Sequence, residues 1–140
     1  MSEVVDHLAE LTGFRDRDVL DVTLVGAFRD LLRPDCVTIY RPVGESGQQR
    51  WLTRARLRAC ESTPSADSVW VDLEDLPALD TLPHHARCLA QQTAVTVESE
   101  GQVMSLFPLS TDRDVCGVLE VRTPVELTGE QTRLVSSILR

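Results

Sequence analysis

Aromatic residues are scarce in this chain: Phe, Trp and Tyr make up 4% of its 140 residues. A core must then be built mainly from Leu, Val and Ala, and the length suits one domain around one core. No apolar run is long enough to span a bilayer, and no signal-peptide pattern follows Met1. The expected location is the cytoplasm. There is no excess of positive charge. The formal net charge of −8 argues against nucleic acid or an anionic membrane as the main partner, because both need a cationic face. An acidic balance of this size fits solubility. The chain has no CxxC pair. Cys36, Cys60, Cys88 and Cys116 stand apart, so no metal site is expected, and isolated cysteines of this kind are mostly small buried apolar residues. Nucleophile elbows, phosphate-binding glycine loops, metalloprotease helix motifs and internal repeats are also missing. No catalytic residue is therefore assigned.

The chain offers alternating helical and strand patterns. Residues 2–11 suit a short helix with Val4, Val5, Leu8 and Leu11 as its stripe, broken by Thr12-Gly13. This helix, within residues 1–13, is an addition to the domain. A longer helix is predicted over 16–32. Leu20, Leu24, Phe28 and Leu31 line its stripe, Val25 and Leu32 widen it, and Pro34 ends it. Strands follow over 36–41 and 50–58, joined by a glycine-containing loop. Within the second, Trp51, Thr53, Ala55 and Leu57 alternate with Leu52, Arg54, Arg56 and Arg58. Three arginines on one strand face could clamp a phosphate or carboxylate, or could be the charged, solvated face of an edge strand. Loop residues dominate 61–81, with a possible strand at 69–71 anchored by Trp70 and a short helix at 75–82. A helix from Pro83, a strand over 94–98 and a turn at 99–101 come next.

The C-terminal stretch is the most legible. Val103, Ser105, Phe107 and Leu109 alternate with Met104, Leu106 and Pro108, and both faces are mostly apolar, as in a strand covered on both sides. A polar turn at 110–114 leads to a strand over 115–122, with Gly117, Leu119 and Val121 on one face and Cys116, Val118, Glu120 and Arg122 on the other. Gly117 inside a strand marks a close approach by another backbone or a ligand. Thr128 and Gln131 fit a capping box, followed by Leu134, Val135, Ile138 and Leu139 at helical spacing. That pattern is unfinished at Arg140, so the natural protein is expected to continue.

Pro108-Leu109, the polar turn, Gly117-Val118-Leu119-Glu120-Val121 and the helix start at Leu127–Glu130 resemble the closing half of a GAF domain. The run from Asp35 to Pro42 resembles the first strand of that family, and Cys88 to Val97 its crossing segment over the small-molecule pocket. The resemblance implies an α+β fold. Its central antiparallel sheet would have about five or six strands, with the terminal helices on one face and a short-helix and loop segment on the other. The opening through Leu32 also resembles proteins in which such a domain precedes a GGDEF diguanylate cyclase domain, although the catalytic residues of that domain are not in this sequence.

From strand phase and the family's roof segment, Tyr40, Trp70, His85, Cys88, Met104 and Cys116 are the ligand-pocket candidates. A homodimer through the terminal helices is implied, with Leu20, Leu24, Phe28, Leu134, Ile138 and Leu139 as its residues. His84, His85 and Cys88 are the one cluster able to carry chemistry, but their order differs from the cysteine-histidine pattern of bilin-binding members. The cyclic-nucleotide signature is missing, so no cofactor is assigned and any small-molecule ligand is unknown. The function expected is a regulatory sensor module. The alternatives are a ligand-free dimerisation scaffold and, from a different class, a cysteine-based methionine sulfoxide reductase.

Overall fold

The computed structural model describes residues 20–45, 47–68, 70–109 and 117–139. The added N-terminal helix, the polar turn at 110–114 and Cys116 lie outside the described residues. Residues 20–32 form helix α1. Strands β1 (Cys36–Val43) and β2 (Arg50–Arg58) precede two short 3-10 turns, Leu73–Asp75 and Leu79–Thr81. Helix α2 (Pro83–Gln91), strands β3 (Val95–Ser99), β4 (Gln102–Leu109) and β5 (Gly117–Thr123), and helix α3 (Gly129–Ile138) complete the order. The strands make one sheet in the order β2-β1-β5-β4-β3, antiparallel at every pairing. The fold is the α+β arrangement expected, with five strands among the described residues.

Both faces of the sheet are covered. On one, Val25, Phe28 and Leu32 of α1 and Val135 of α3 pack with Val37, Ile39, Ala55, Leu57, Phe107, Leu109, Leu119 and Val121. On the other, Cys88 of α2 packs with Tyr40, Trp51, Val95, Leu106 and Val118. The rotation of α1 differs from the stripe read in the sequence. Its buried line is Asp21, Val25, Phe28 and Leu32, whereas Leu20 and Leu31 are 47% and 53% exposed. The shift is small in angle, and Asp21 explains it. The Asp21 carboxylate is buried and accepts from Arg41 Nε and Nη2 at 2.9 and 2.8 Å, with Arg54 Nε at 3.7 Å. Removing one partner of a buried pair costs about 3–5 kcal/mol, more than the about 1.5–3 kcal/mol from burying one more leucine. The ion cluster therefore helps set which side of α1 meets the sheet.

Arg54, Arg56 and Arg58 do not all share a face. The register shifts by one residue opposite Ile39 and Tyr40, which pair with Ala55 and Thr53 and leave Arg54 as a bulge. Arg54 turns to the α1 face and meets Asp21, while Arg56 reaches Tyr40 on the opposite face. Trp51 also crosses to the α2 face, away from Ala55 and Leu57. The single alternation read in the sequence is corrected by this one extra residue.

The loop-rich stretch after β2 covers an edge. Arg56 and Ser65 exchange two backbone hydrogen bonds, Asp67 N–H donates to Thr53 O, and Trp51 N–H donates to Pro77 O. An exposed outer strand is thereby paired without a sixth strand. Trp70 is 73% exposed and anchors nothing among the described residues. The helix expected at 75–82 is replaced by the two 3-10 turns, with Pro77 between them.

The capping box on α3 is formed: Gln131 N–H donates to Thr128 Oγ1 at 3.1 Å, and Thr128 N–H donates to Gln131 Oε1 at 2.9 Å. The close approach expected at Gly117 is made by β1. A Cβ there would lie 2.8 Å from the Tyr40 carbonyl oxygen and 3.1 Å from Arg41 Cγ. Backbone cannot yield as a flexible side chain can. Gly117→Val is therefore expected to destabilise the domain by about 1–3 kcal/mol, the usual range for overpacking, measured by urea unfolding.

Candidate functional site

The α2 face of the sheet holds the candidate site. Pro83 starts α2, where a missing N–H costs nothing. Three residues apart on the helix, His85 and Cys88 point at the sheet and are its buried residues. The His85 ring meets Tyr40 edge-on at 5.2 Å and Trp51 at 6.2 Å, and the Tyr40 and Trp51 rings are 6.1 Å apart. Trp51 Nε1 donates to Leu79 O at 3.2 Å, which satisfies the one polar atom of that side chain. These three rings fill the space directly under α2.

Glu120 lies below them on β5, 2% exposed. Its carboxylate accepts from His85 Nε2 at 2.8 Å through Oε1, and from Arg122 Nε at 3.0 Å through Oε2. A carboxylate only accepts, so the His85 proton sits on Nε2. Burial alone would raise the pKa of Glu120. Hydrogen bonds from His85 and Arg122, with their charges, more than offset it and hold the carboxyl below its usual range. The hydrogen bond to Glu120 in turn raises Arg122 above the ordinary arginine value. Burial, reinforced by the charge of Glu120, raises the Tyr40 phenol, which stays protonated at neutral pH. Burial also pushes the Cys88 thiol up to about 11. A thiol that seldom ionises is a poor nucleophile and a poor metal ligand.

Beside the filled space the sheet face opens into a groove of about 400 Å³, lined in part by Tyr40, Arg56, Arg58, Gln102, Glu120 and Arg122. Arg56 reaches into it from β2, with Nη2 donating to Tyr40 Oη at 3.1 Å and Nε to Thr38 Oγ1 at 3.4 Å. The groove and the aromatic cluster thus share Tyr40 and Glu120.

The structure brings together three of the six residues predicted for the pocket: Tyr40, His85 and Cys88. Met104 is half-buried against the same apolar cluster but does not line the groove. Trp70 stands in solvent away from it, and Cys116 lies outside the described residues. The sequence reading missed Trp51, whose face was inverted by the bulge. It also missed Glu120 as a site residue, although the alternation already placed it beside Val118 on a covered face. Among the described residues no group of three His, Cys, Asp or Glu side chains could hold a metal ion. Among them, too, no helix is long and apolar enough to cross a membrane.

No protein-family model and no curated protein matches the sequence. A solved structure of the green-light-absorbing state of a red/green cyanobacteriochrome is similar in fold. The match covers 88% of this chain and 88% of that one, with a TM-score of 0.56 and 18% sequence identity. The likeness, together with the strand order, shows a GAF-like fold.

Because the folded pKa of Glu120 is depressed, its stabilisation is present above the ordinary carboxylate pKa of about 4.3. It is lost as the pH falls through the lower folded value. Glu120→Gln should therefore lower stability at pH 7 and flatten the pH dependence below about pH 4.3. The loss at pH 7 should not exceed about 3 kcal/mol, the low end for breaking a buried pair, because the Arg122 side chain is 42% exposed. Thermal unfolding followed by circular dichroism from acid to neutral pH measures both effects.

Proposed function

We propose that this chain is the regulatory sensor module of a bacterial signal-transduction protein. In this reading it controls a C-terminal diguanylate cyclase (GGDEF) domain through small-molecule binding or dimer rearrangement. The observation that carries the reading is the division of labour along β5. Glu120 and Arg122 serve the groove, while Leu119 and Val121, their immediate neighbours, lie in the core under α1 and α3. A ligand that moves Glu120 displaces side chains beneath both terminal helices, because a close-packed core transmits strain. The GGDEF assignment draws on the Arg15-Asp16-Arg17-Asp18 helix opening.

The outer surface of the helical layer supports a homodimer. Leu20, Leu31, Leu134 and Ile138 are 39–53% exposed. Phe28 is fully buried against the sheet and Leu139 packs partly on the same core, so these two support the seam from within. Leu24 packs against the core from an intermediate position. A second copy that covers the outward leucines and Ile138 completes the layer.

The reading of a ligand-free dimerisation scaffold also has an observation in its favour: Tyr40, Trp51 and His85 already occupy the space under α2. Native mass spectrometry beside a denatured control separates the two, since a mass excess lost on denaturation marks a bound ligand. For the dimer, sedimentation should give two copies for the native chain and one for Ile138→Glu, with unchanged helix content. A native chain that sediments as a monomer at every concentration overturns the terminal-helix dimer.

A further inference from the structure

The groove beside the aromatic cluster has a surplus of positive charge in an acidic protein. Three guanidinium groups line it, Arg56, Arg58 and Arg122, against the carboxylates of Asp35 and Glu120. Counted at full charge these sum to +1, in a chain whose net charge is −8. The two carboxylates are already engaged. Glu120 is held by Arg122 and His85, and Asp35 accepts from Gln102 Nε2 at 3.2 Å. Arg56 is half-buried, and its partners are the neutral hydroxyls of Thr38 and Tyr40. Among the described residues neither Arg56 nor Arg58 is paired with a carboxylate. A half-buried guanidinium that meets only neutral acceptors retains most of its attraction for an anion, and its planar fork matches an oxyanion with two oxygens.

The neutral donors point to the same ligand chemistry. Tyr40 Oη accepts from Arg56, which leaves its own proton to donate. Arg122 Nη1 donates to Gln102 Oε1 at a long 3.4 Å, and that contact yields readily to a better acceptor. A cavity of about 400 Å³ is within the range of small-molecule clefts. It is larger than a bare inorganic anion needs.

Resting on the sensor reading, we infer that this groove binds a small metabolite through a compact doubly charged oxyanion head, clamped by Arg56 and Arg58 and completed by Tyr40 and Arg122. The head is a phosphate monoester or a pair of carboxylates, which share this chemistry. Binding draws Arg122 from Glu120, leaving Glu120 to His85 and so coupling the groove to α2.

The test titrates the whole chain with inorganic phosphate, adenosine monophosphate and succinate, each against sodium chloride at matched ionic strength. The readouts are the thermal midpoint and tryptophan emission, since Trp51 lies against the Tyr40 ring. At least one probe is expected to give a saturable rise in midpoint that chloride does not reproduce. Phosphate or adenosine monophosphate acting alone identifies a phosphate head, and succinate acting alone identifies paired carboxylates. Arg58→Gln should weaken binding by about tenfold, the loss of one charge-assisted hydrogen bond. It is the safe variant, because the Arg58 side chain has no bonding partner among the described residues. Arg56→Gln should weaken it further, while Arg133→Gln on α3 should have no effect. No saturable response to any probe, or equal binding by Arg58→Gln, overturns the inference. A dimer that ignores all three probes sinks the anion site and leaves the dimer standing. A monomer that binds one of them does the reverse.

Discussion

A carboxylate buried under a helix must be fully paired, and Glu120 organises one side of this molecule through that requirement. It sits on β5, the middle strand of the sheet, and is 2% exposed. His85 arrives from α2 and Arg122 from the same strand, so satisfying one side chain fixes the helix against the sheet. The edge-on packing of Tyr40 and Trp51 on His85 then follows from where the imidazole has to be. On the opposite face Asp21 plays the corresponding part for α1, with Arg41 and Arg54 as its partners. Apolar burial supplies most of the stabilisation on both faces, while the two charge clusters specify how each helix is turned. Hydrophobic contact is tolerant of small rotations and paired charges are not.

The strand most exposed to both demands is β5. Every residue from Gly117 to Val121 is buried, and successive side chains enter different cores. Such a strand cannot shift for one layer without shifting for the other. A sheet covered on one face would lack this property, because its outer residues would relax into water. The two-sided cover therefore ties the groove side of the sheet mechanically to the helical layer.

Much of the architecture was legible in the chain. The strand phases of β4 and β5, the capping box at Thr128 and the tight contact at Gly117 all follow from local rules, and each is found as read. Local rules succeed there because both faces are apolar, the ladder is regular and the cap residues are explicit. They fail at β2. An inserted residue leaves no mark on a propensity scale, so Trp51 and Arg54 each appeared on the wrong face. They fail again at Asp21, where a charged residue takes a core position on α1 because arginines distant in sequence are waiting for it. The stretch after β2 has no periodicity because its role, covering an edge through backbone hydrogen bonds, asks little of its side chains. Strand phase and the roof segment point to Tyr40, His85 and Cys88, which the structure places together under α2. Trp70, expected as the anchor of a short strand, stands in solvent.

The bulge at Arg54 gives β2 two halves that obey opposite parity. Residues on its C-terminal side keep one assignment of inside and outside, and residues before it keep the other. The parity of the two halves therefore rests on one extra residue rather than on residue type. Loss of the Arg54 codon would restore a regular ladder with Trp51 still on the α2 side, whereas straightening the bulge at unchanged length would send tryptophan into the layer beneath α1 and strip the α2 side of its largest ring, although no amino acid had been altered. Related sequences aligned without a gap in this short segment would then appear to conserve the wrong residues.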